Sequence, residues 1–382
     1  MKKLLYITNI PTPYRQKRFN MMAEVFPKFA IDFEVLYMAK IEPNRQWTIS
    51  EDSYKYKYKI YKGLHPVIGR FFAHFNPTLL FRLLRNDYDI VVIGGMASPT
   101  HWLAPFFISK NKTKIISIES NLNSTVRKSG FGAAIKRLLL SKADAYQVTG
   151  TPQKKFINFF YPYAEHKSFI KLPNLIDEEA FRDQVNFLKL NRSILREKFE
   201  VDDKTQMWIL PAQLIELKGI IPFLNLFQFI SNVKLFLLGD GILKETILKY
   251  IQQNKLNVVL TGFLQQSAVL EYYAAADLFV LPSFKDSSPL TPIEAIAGGL
   301  PILVSSRIGN LEDVLIDNCN GWSYDPILEI EKGKEVINMI SKFTPADLIN
   351  FGKESVNIFN KRFDSVKCLE NYAANLKELT IN

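Results

Sequence analysis

Short apolar or β-branched runs alternate with amphipathic stretches along nearly the whole chain, and this alternation limits the possible folds more than any other feature. In the first half the runs are LLYITNI, FEVLY, DIVVIGG, KIISI and AYQVTG, and in the second MWIL, KLFLLGDG, VVLTGF, LFVLPS and PILVSS. Such short, mostly apolar or β-branched runs suit strands covered on both faces, as in a parallel sheet flanked by helices. Phe19, Met22, Ala23 and Phe26 recur at helical spacing after the first run, and SAVLEYYAAAD follows VVLTGF. The expected fold class is therefore α/β, with two doubly wound Rossmann-like units. Residues 54–62, YKYKYKIYK, alternate with period two and read as a strand with one wet face or an edge ribbon. Residues 191–199 read as a polar helix, and residues 355–379 read as helical.

A length of 382 residues allows two domains. A chain that is 47% hydrophobic and 23% charged is not disordered. The join is expected near KLPNLIDEEAF, where Pro173, Asn174 and Asp177 supply turn and cap signals. That gives domains 1–173 and 174–361, with a cleft between them. Two cysteines, Cys319 and Cys368, exclude a disulfide framework and a four-cysteine zinc site, and the four histidines form no HExxH pair. No run reaches the roughly 18 apolar residues of a membrane span. Pro11 and Pro13 interrupt the short apolar run after the first lysines, so no export signal is read and a cytoplasmic location is expected.

Charge is unevenly placed. Residues 1–176 carry 27 Lys and Arg against 11 Asp and Glu, a net of +16, whereas residues 177–382 carry 21 against 27, a net of −6. The basic half should be drawn to something anionic: nucleic acid, a phosphorylated substrate or an acidic membrane surface. A solvated basic face is the plainer alternative. No nucleic-acid recognition motif is present, so nucleic acid is not an expected partner. Residues 68–85 and 129–142 mix Phe and Leu with Arg and Lys, which suits the interface of an anionic membrane and equally suits buried helices with basic edges.

Strand ends carry the chemistry. No GxGxxG follows the first strand and no GxxxxGK[ST] occurs, which removes most support for a nicotinamide enzyme or a P-loop NTPase. In ILPAQLIELKG, Lys218 and Gly219 follow a strand end and open a helix. A lysine beside free backbone N–H groups suits a phosphate, although a surface lysine before a glycine turn is an alternative. Residues 281–306 read LPSFK, then Asp286, then SSPLTPIEAIAGGLPILVSS. There a strand ends at Leu281, a polar turn follows, and Pro292 sits near the first helical turn. Asp286 and Glu294 flank that turn, and residues 287–290 offer backbone N–H groups. A carboxylate above strand ends can grip ribose hydroxyls, or it can simply serve the helix dipole. Lysine, turn and carboxylate together describe a nucleotide diphosphate site.

With these motifs in one order, the chain resembles the family 4 glycosyltransferases of GT-B fold, retaining enzymes that use nucleotide-diphosphate sugars. The pieces that carry the resemblance are KADAYQVTG, LPNLIDEEAF, QLIELKG, LLGDG, LTGF, EYYAAADLFVLPS, Asp286 with the SSPLTPIEAIAGGLPILVSS that follows it, and IGNLEDVLIDNCNGW. The opening TNIPTPYRQKRF resembles a subset that builds bacterial surface polysaccharide: capsule, O-antigen (lipopolysaccharide) or exopolysaccharide. The resemblance implies two Rossmann-like domains facing a central cleft, the first for acceptor and the second for donor, with a C-terminal helix at about 362–382 packing back on the first. It places Lys218 and Gly219 on the donor diphosphate. The arginine of the family pattern RLxxxKG falls on Gln213, which can hydrogen-bond a phosphate without adding charge. The two-glutamate pattern falls on Asp286 and Glu294, with Glu294 at the ribose and Asp286 near the donor sugar as a catalytic position. Ser288, Pro289, Leu290 and Thr291 occupy the turn that meets phosphate and sugar, and Gly262, Phe263 and Leu264 the segment that meets the base.

In the first domain Glu119 stands where many relatives carry a histidine, a second catalytic position or a satisfied strand-end residue. Arg15 and His101 are the acceptor-binding candidates: Arg15 could face an acceptor phosphate, and His101 could also be a packed or capping residue. The resemblance implies no cofactor and no metal, with a nucleotide sugar and a glycan or polyprenyl-diphosphate-linked acceptor as partners. A lipid-linked acceptor, taken with the basic stretches 68–85 and 129–142, could also bring the chain into peripheral contact with the inner face of the plasma membrane. The rival readings are a sugar-nucleotide 2-epimerase of the same fold and a non-catalytic sugar-nucleotide-binding protein.

Overall fold

The structure is a computed structural model and describes residues 1–42, 51–68, 71–122 and 128–379. Gly69 and Arg70 of the basic stretch 68–85, and residues 380–382 of the expected C-terminal helix, lie outside the described residues. The chain divides into two compact units, Met1–Leu175 with Ser365–Asn382, and Ile176–Asp364.

In the first unit the strands are β1 (Lys2–Thr8), β2 (Ile31–Tyr37), β3 (Lys57–Ile60), the short antiparallel pair β4 (Val67–Ile68) and β5 (Phe71–Phe72), then β6 (Ile90–Ile93), β7 (Thr113–Ile118), β8 (Ala145–Val148) and β9 (Ser168–Lys171). The helices of this half are α1 (Pro13–Val25), α2 (Pro77–Leu83), α3 (Pro99–Phe107), α4 (Gly130–Lys142) and α5 (Thr151–Phe160). Among the described residues the main sheet runs β3-β2-β1-β6-β7-β8-β9, all parallel. Successive side chains point to opposite faces, so one strand feeds two cores. Leu5, Ile7, Val91 and Ile93 pack on one face, and Leu4, Tyr6, Ile90 and Val92 on the other. The YKYKYKIYK alternation becomes the sheet edge: Lys57 and Lys59 face water, while the rings of Tyr54, Tyr56 and Tyr58 meet one another at 4.6 to 6.2 Å.

The second unit repeats the plan with β10 (Gln206–Pro211), β11 (Val233–Leu238), β12 (Val258–Gly262), β13 (Leu278–Leu281), β14 (Ile302–Ser305) and β15 (Gly321–Tyr324). Its helices are α6 (Gln184–Lys189), α7 (Arg192–Lys198), α8 (Ile220–Phe227), α9 (Lys244–Gln253), α10 (Gln266–Ala275), α11 (Thr291–Ala297), α12 (Leu311–Val314), α13 (Ile330–Ser341) and α14 (Pro345–Arg362). Its sheet runs β12-β11-β10-β13-β14-β15, again parallel. Met207, Ile209 and Phe279 face one core, and Trp208, Leu210 and Val280 the other.

The polar helix expected at 191–199 is α7: Ser193, Glu197 and Lys198 are exposed, but its two arginines turn inward. Arg192 and Arg196 donate to opposite oxygens of buried Asp277 at 2.6 and 2.9 Å, and Asp277 accepts the Met207 backbone N–H at 2.7 Å. The helical stretch expected over 355–379 is two helices. Helix α14 ends at Arg362, Phe363 turns inward with φ −129° and buries its ring in the second unit's core, and α15 (Ser365–Glu378) follows. Helix α15 packs on the first unit, where Leu369, Tyr372, Ala373 and Leu376 join the core and Tyr372 donates to Gln147 Oε1 at 2.6 Å.

Candidate functional site

In an open parallel sheet, ligands gather at the carboxyl ends of the strands where the strand order reverses. In the second unit the chain moves outward from β10 through β11 to β12, then returns to β13 on the other side of β10. The reversal therefore lies between β10 and β13. Lys218 comes from the turn after β10 and Asp286 from the loop after β13. Lys218 Nζ lies 2.5 Å from Asp286 Oδ2, with both side chains about one-fifth exposed. A cation and a carboxylate that are 68 residues apart in sequence thus meet over the reversal point.

Backbone geometry holds the pair in place. Glu216–Lys218 is a single 3-10 turn that ends on Gly219 at φ +62°, where a side chain would be strained. A Cβ on Gly219 would also collide with the Pro282 carbonyl oxygen. The Phe284 N–H donates to the Leu217 carbonyl at 2.9 Å, which staples the two loops together. The loop after β14 braces the next turn: the Gly309 N–H donates to the Asp286 carbonyl, and Asn310 Nδ2 to the Pro289 carbonyl, each at 2.9 Å.

The other second-unit candidates divide as follows. Ser288, Pro289 and Leu290 form the turn into α11, which begins at Thr291. Glu294 is in the first turn of α11, and the Tyr273 hydroxyl lies 3.4 Å from its Oε2. Burial, then the Glu294 carboxylate, push the Tyr273 hydroxyl pKa well above its usual range, so it remains a neutral donor. Gly262 ends β12 and bridges to Gly239 after β11, close to the Lys244–Asp240 ion pair. Phe263 is exposed and Leu264 packs half-buried on the core. Gln213 is exposed and makes no side-chain hydrogen bond among the described residues.

In the first unit the order reverses between β1 and β6. A cavity of about 300 Å³ sits there, and Arg15, His101 and Glu119 all line it. Arg15, in the first turn of α1, donates to Thr8 Oγ1 at 3.0 Å and has its Nη2 3.6 Å from Glu119 Oε2. Burial opposes its charge, but Tyr14 and Glu119 outweigh that and hold it protonated. His101, on α3, is 1% exposed, and neither ring nitrogen has a hydrogen-bond partner among the described residues. Burial first, then His74 and Arg15, push its pKa down to about 3, so the ring is neutral. Gly95, at φ +142°, gives the ring its room: a Cβ there would come within 3.3 Å of His101 Cε1. His101 is thus packed in the interior of the first unit, as the packed reading has it, and its ring caps no helix end among the described residues.

Sequence reasoning did not single out Asn9, Lys136 or Tyr273. Asn9 and Lys136 line the cavity, and Asn9 Oδ1 is buried with no hydrogen-bond partner among the described residues. The Lys136 ammonium lies 4.6 Å from the centre of the Phe160 ring. Asn9 follows the first strand, so its position at a strand end was an available signal, whereas Lys136 lies within α4 and Tyr273 within α10, where no local signal marks them.

Residues 191–354 match the family described as glycosyl transferases group 1. The chain is 30% identical over 224 residues to UDP-Gal:alpha-D-GlcNAc-diphosphoundecaprenol alpha-1,3-galactosyltransferase of Escherichia coli, covering 54% of this chain and 55% of that protein. It is 24% identical over 221 residues to alpha-monoglucosyldiacylglycerol synthase of Acholeplasma laidlawii, covering 54% and 55%. The chain thus spans about half the length of the curated relatives it matches. Among solved structures, Anabaena Alr3699/HepE in complex with UDP superposes with a TM-score of 0.72 at 17% identity, covering 99% of this chain and 100% of that one. WaaG, a glycosyltransferase involved in lipopolysaccharide biosynthesis, gives 0.67 at 15%, covering 99% and 100%. The architecture of two parallel-sheet, Rossmann-like units is that of GT-B glycosyltransferase structures.

Proposed function

We propose that this chain, which carries a glycosyl transferases group 1 domain over residues 191–354, is a glycosyltransferase that moves a sugar from a nucleotide-diphosphate sugar to a hydroxyl of a glycan or lipid-linked acceptor. The role assigned to it is bacterial surface polysaccharide synthesis, in capsule, O-antigen or exopolysaccharide. The observation that carries this reading is the Lys218–Asp286 pair at the strand-order reversal of that domain, where a nucleotide diphosphate would sit.

Lys218 and the turn amides of residues 287–290 bind the diphosphate and meet the charge that develops as it departs, an electrostatic role that needs no metal ion. Gln213 adds a hydrogen bond without charge. Glu294, backed by neutral Tyr273, accepts from the ribose hydroxyls. Gly262, Phe263 and Leu264 border the base. Asp286, released from Lys218 when the diphosphate arrives, is the carboxylate nearest the donor sugar. In this reading the transfer retains anomeric configuration: the acceptor hydroxyl attacks from the face the diphosphate leaves, and a donor phosphate oxygen takes its proton. Arg15, His101 and Glu119 belong to the acceptor side.

The same reading includes peripheral membrane contact. Phe81 on α2, Phe106 on α3 and Phe131 on α4 are more than half exposed. Phe81 meets Phe107 at 6.2 Å, Lys142 lies 5.7 Å from the Phe106 ring, and Arg85 and Arg137 in the same two basic stretches are exposed. Apolar rings rimmed by cations suit an anionic interface. No helix among the described residues is long and apolar enough to cross a membrane. Flotation with vesicles should show partitioning that depends on anionic lipid.

The test of the enzyme reading is a thermal-shift screen against UDP-, GDP-, ADP- and dTDP-sugars, followed by product analysis with and without acceptor. One sugar nucleotide should raise the melting temperature, and sugar should move only when acceptor is present. Product formed from donor alone would indicate an epimerase, and binding without turnover on any acceptor would indicate a binding protein.

A further inference from the structure

Two histidines at the base of the β4–β5 ribbon, His65 and His74, are set against each other by the backbone. Leu64 and Phe75 exchange both backbone hydrogen bonds at 2.9 Å, and Val67 pairs with Phe72 in the same antiparallel register. That register puts His65 directly opposite His74, at a pair without ladder hydrogen bonds, where facing side chains lie closest. The rings meet with Nδ1 against Nδ1 at 2.9 Å. His74 is 1% exposed, and its Nε2 lies 3.0 Å from Glu42 Oε1. His65 is exposed to water.

The hydrogen-bond roles along this chain of groups follow from its carboxylate end. A carboxylate only accepts, so His74 Nε2 carries a proton and His74 Nδ1 presents a lone pair, which accepts from His65 Nδ1–H. Two imidazole nitrogens aimed at each other can be bridged by a proton or by a metal ion. Metal–imidazole bonds of about 2.0–2.1 Å set two nitrogens about 3.3 Å apart in a tetrahedral site, so the rings need part by only a few tenths of an ångström. The proton on His65 Nδ1 then passes through solvent to the exposed Nε2, and both rings stay neutral. Glu42 on the far nitrogen of His74 is the carboxylate–histidine arrangement that orients a metal-bound imidazole and raises its basicity.

Ligand type selects the ion. Neutral imidazoles suit zinc, copper and nickel, whereas magnesium and calcium favour oxygen ligands. Among the described residues no group of three or more His, Cys, Asp or Glu side chains gathers to hold a metal, so water completes the coordination shell. We propose that His65 and His74 form a cross-strand binding site for a divalent transition metal of the zinc class, with Glu42 orienting His74 from behind. The ion clips the two strands of the ribbon together and, through Glu42, to the segment after β2. The His74 carbonyl accepts from the Thr100 N–H at 3.0 Å and from Thr100 Oγ1 at 2.9 Å, which ties the same clip to the first turn of α3. None of the three residues is assigned to donor or acceptor, so this site stands or falls apart from the transferase reading.

The experiment is titration of the full chain with zinc ion, followed by calorimetry and by competition with a chromophoric chelator, with excess magnesium as the control. One equivalent of zinc should bind in the micromolar range and resist magnesium. His65→Ala, at an exposed position that folding does not depend on, should weaken zinc about tenfold or more. Glu42→Gln, which leaves both ring nitrogens in place, should weaken it about tenfold. His166→Ala and the paired change Cys319→Ser with Cys368→Ser, which remove metal-binding side chains elsewhere in the chain, should leave the equivalent intact. Cupric ion in place of zinc should give a paramagnetic resonance spectrum with two nitrogen ligands, reduced to one in His65→Ala. Absence of zinc binding, equal binding by His65→Ala or by Glu42→Gln, loss of the equivalent in the His166 or cysteine variants, or a single-nitrogen copper spectrum from the unaltered chain would overturn the proposal.

Discussion

Lys218 and Asp286 form an ion pair of 2.5 Å across the point where the second unit's strand order reverses, so the cation assigned to the donor diphosphate is held by a carboxylate of the same chain. On the proposed reading, a donor diphosphate has to displace that carboxylate. Asp286→Asn removes the competitor, and UDP should bind about fivefold more tightly, about 1 kcal/mol, while sugar transfer falls. Isothermal titration with UDP measures the first effect. Weaker UDP binding by this variant would mean that Asp286 supports the nucleotide directly.

Gly219 is the hinge that brings Lys218 to that position. Gly219→Ala forces a side chain into φ +62° and against the Pro282 carbonyl, so the turn must shift. Denaturant unfolding should show a loss of about 1–3 kcal/mol. UDP affinity should fall at least tenfold, because the displaced turn carries the lysine. Unchanged UDP affinity would show that the turn tolerates the shift.

The fold of the second unit leans on a buried charge cluster rather than on apolar contacts alone. Arg196 and Asp277 are almost fully buried and 2.9 Å apart, and Arg196 also donates to the Asp202 and Thr205 carbonyls at 2.7 Å. Asp277→Ala strands the buried Arg196 charge, whereas Arg196→Ala leaves Asp277 paired with Arg192 at 2.6 Å. Asp277→Ala should cost about 3–5 kcal/mol, Arg196→Ala less, and the double variant less than the sum of the two. Urea unfolding of the three variants checks this.

His101 makes stability depend on pH in a defined direction. Its folded pKa, near 3, lies below the 6.5 of an exposed histidine. Between those values the unfolded chain holds a proton that the folded chain lacks, so its contribution is present above pH 6.5 and is lost as pH falls toward 3. From pH 7 to pH 5 the unaltered chain should lose about 2 kcal/mol more than His101→Gln does. Parallel losses in the two proteins would show that the imidazole is hydrated or paired.

Much of the fold was legible in the sequence because both sheets are parallel and covered on both faces. Strands such as IVVI (Ile90–Ile93) are then continuous apolar runs that stand out from the helices. The Lys218 and Asp286 motifs were legible too, but not their contact, which depends on the crossover that sets β13 beside β10. The first-unit cavity was half visible. Arg15, Glu119 and His101 lay in recognisable segments, while the burial that strips His101 of its charge, aided by His74 before α2 and Arg15 on α1, joins distant parts of the chain and has no linear signature. Arg192 and Arg196 read as a polar face because sequence does not show that Asp277, 81 residues beyond Arg196, is buried beneath them. The break at Phe363 was hidden because helical periodicity continues on both sides of it. Only the packing shows that one helix belongs to the second unit's core and the next to the first.

The central claim is that Lys218 grips the donor diphosphate, and the most direct measurement is donor-dependent sugar transfer by Lys218→Ala, once the sugar nucleotide that stabilises the chain is known. Transfer should fall about 100- to 1,000-fold in kcat/KM, as expected for losing one preorganised charge contact, with the melting temperature of the free protein little changed. Transfer near the unaltered rate by a folded Lys218→Ala protein would contradict the account.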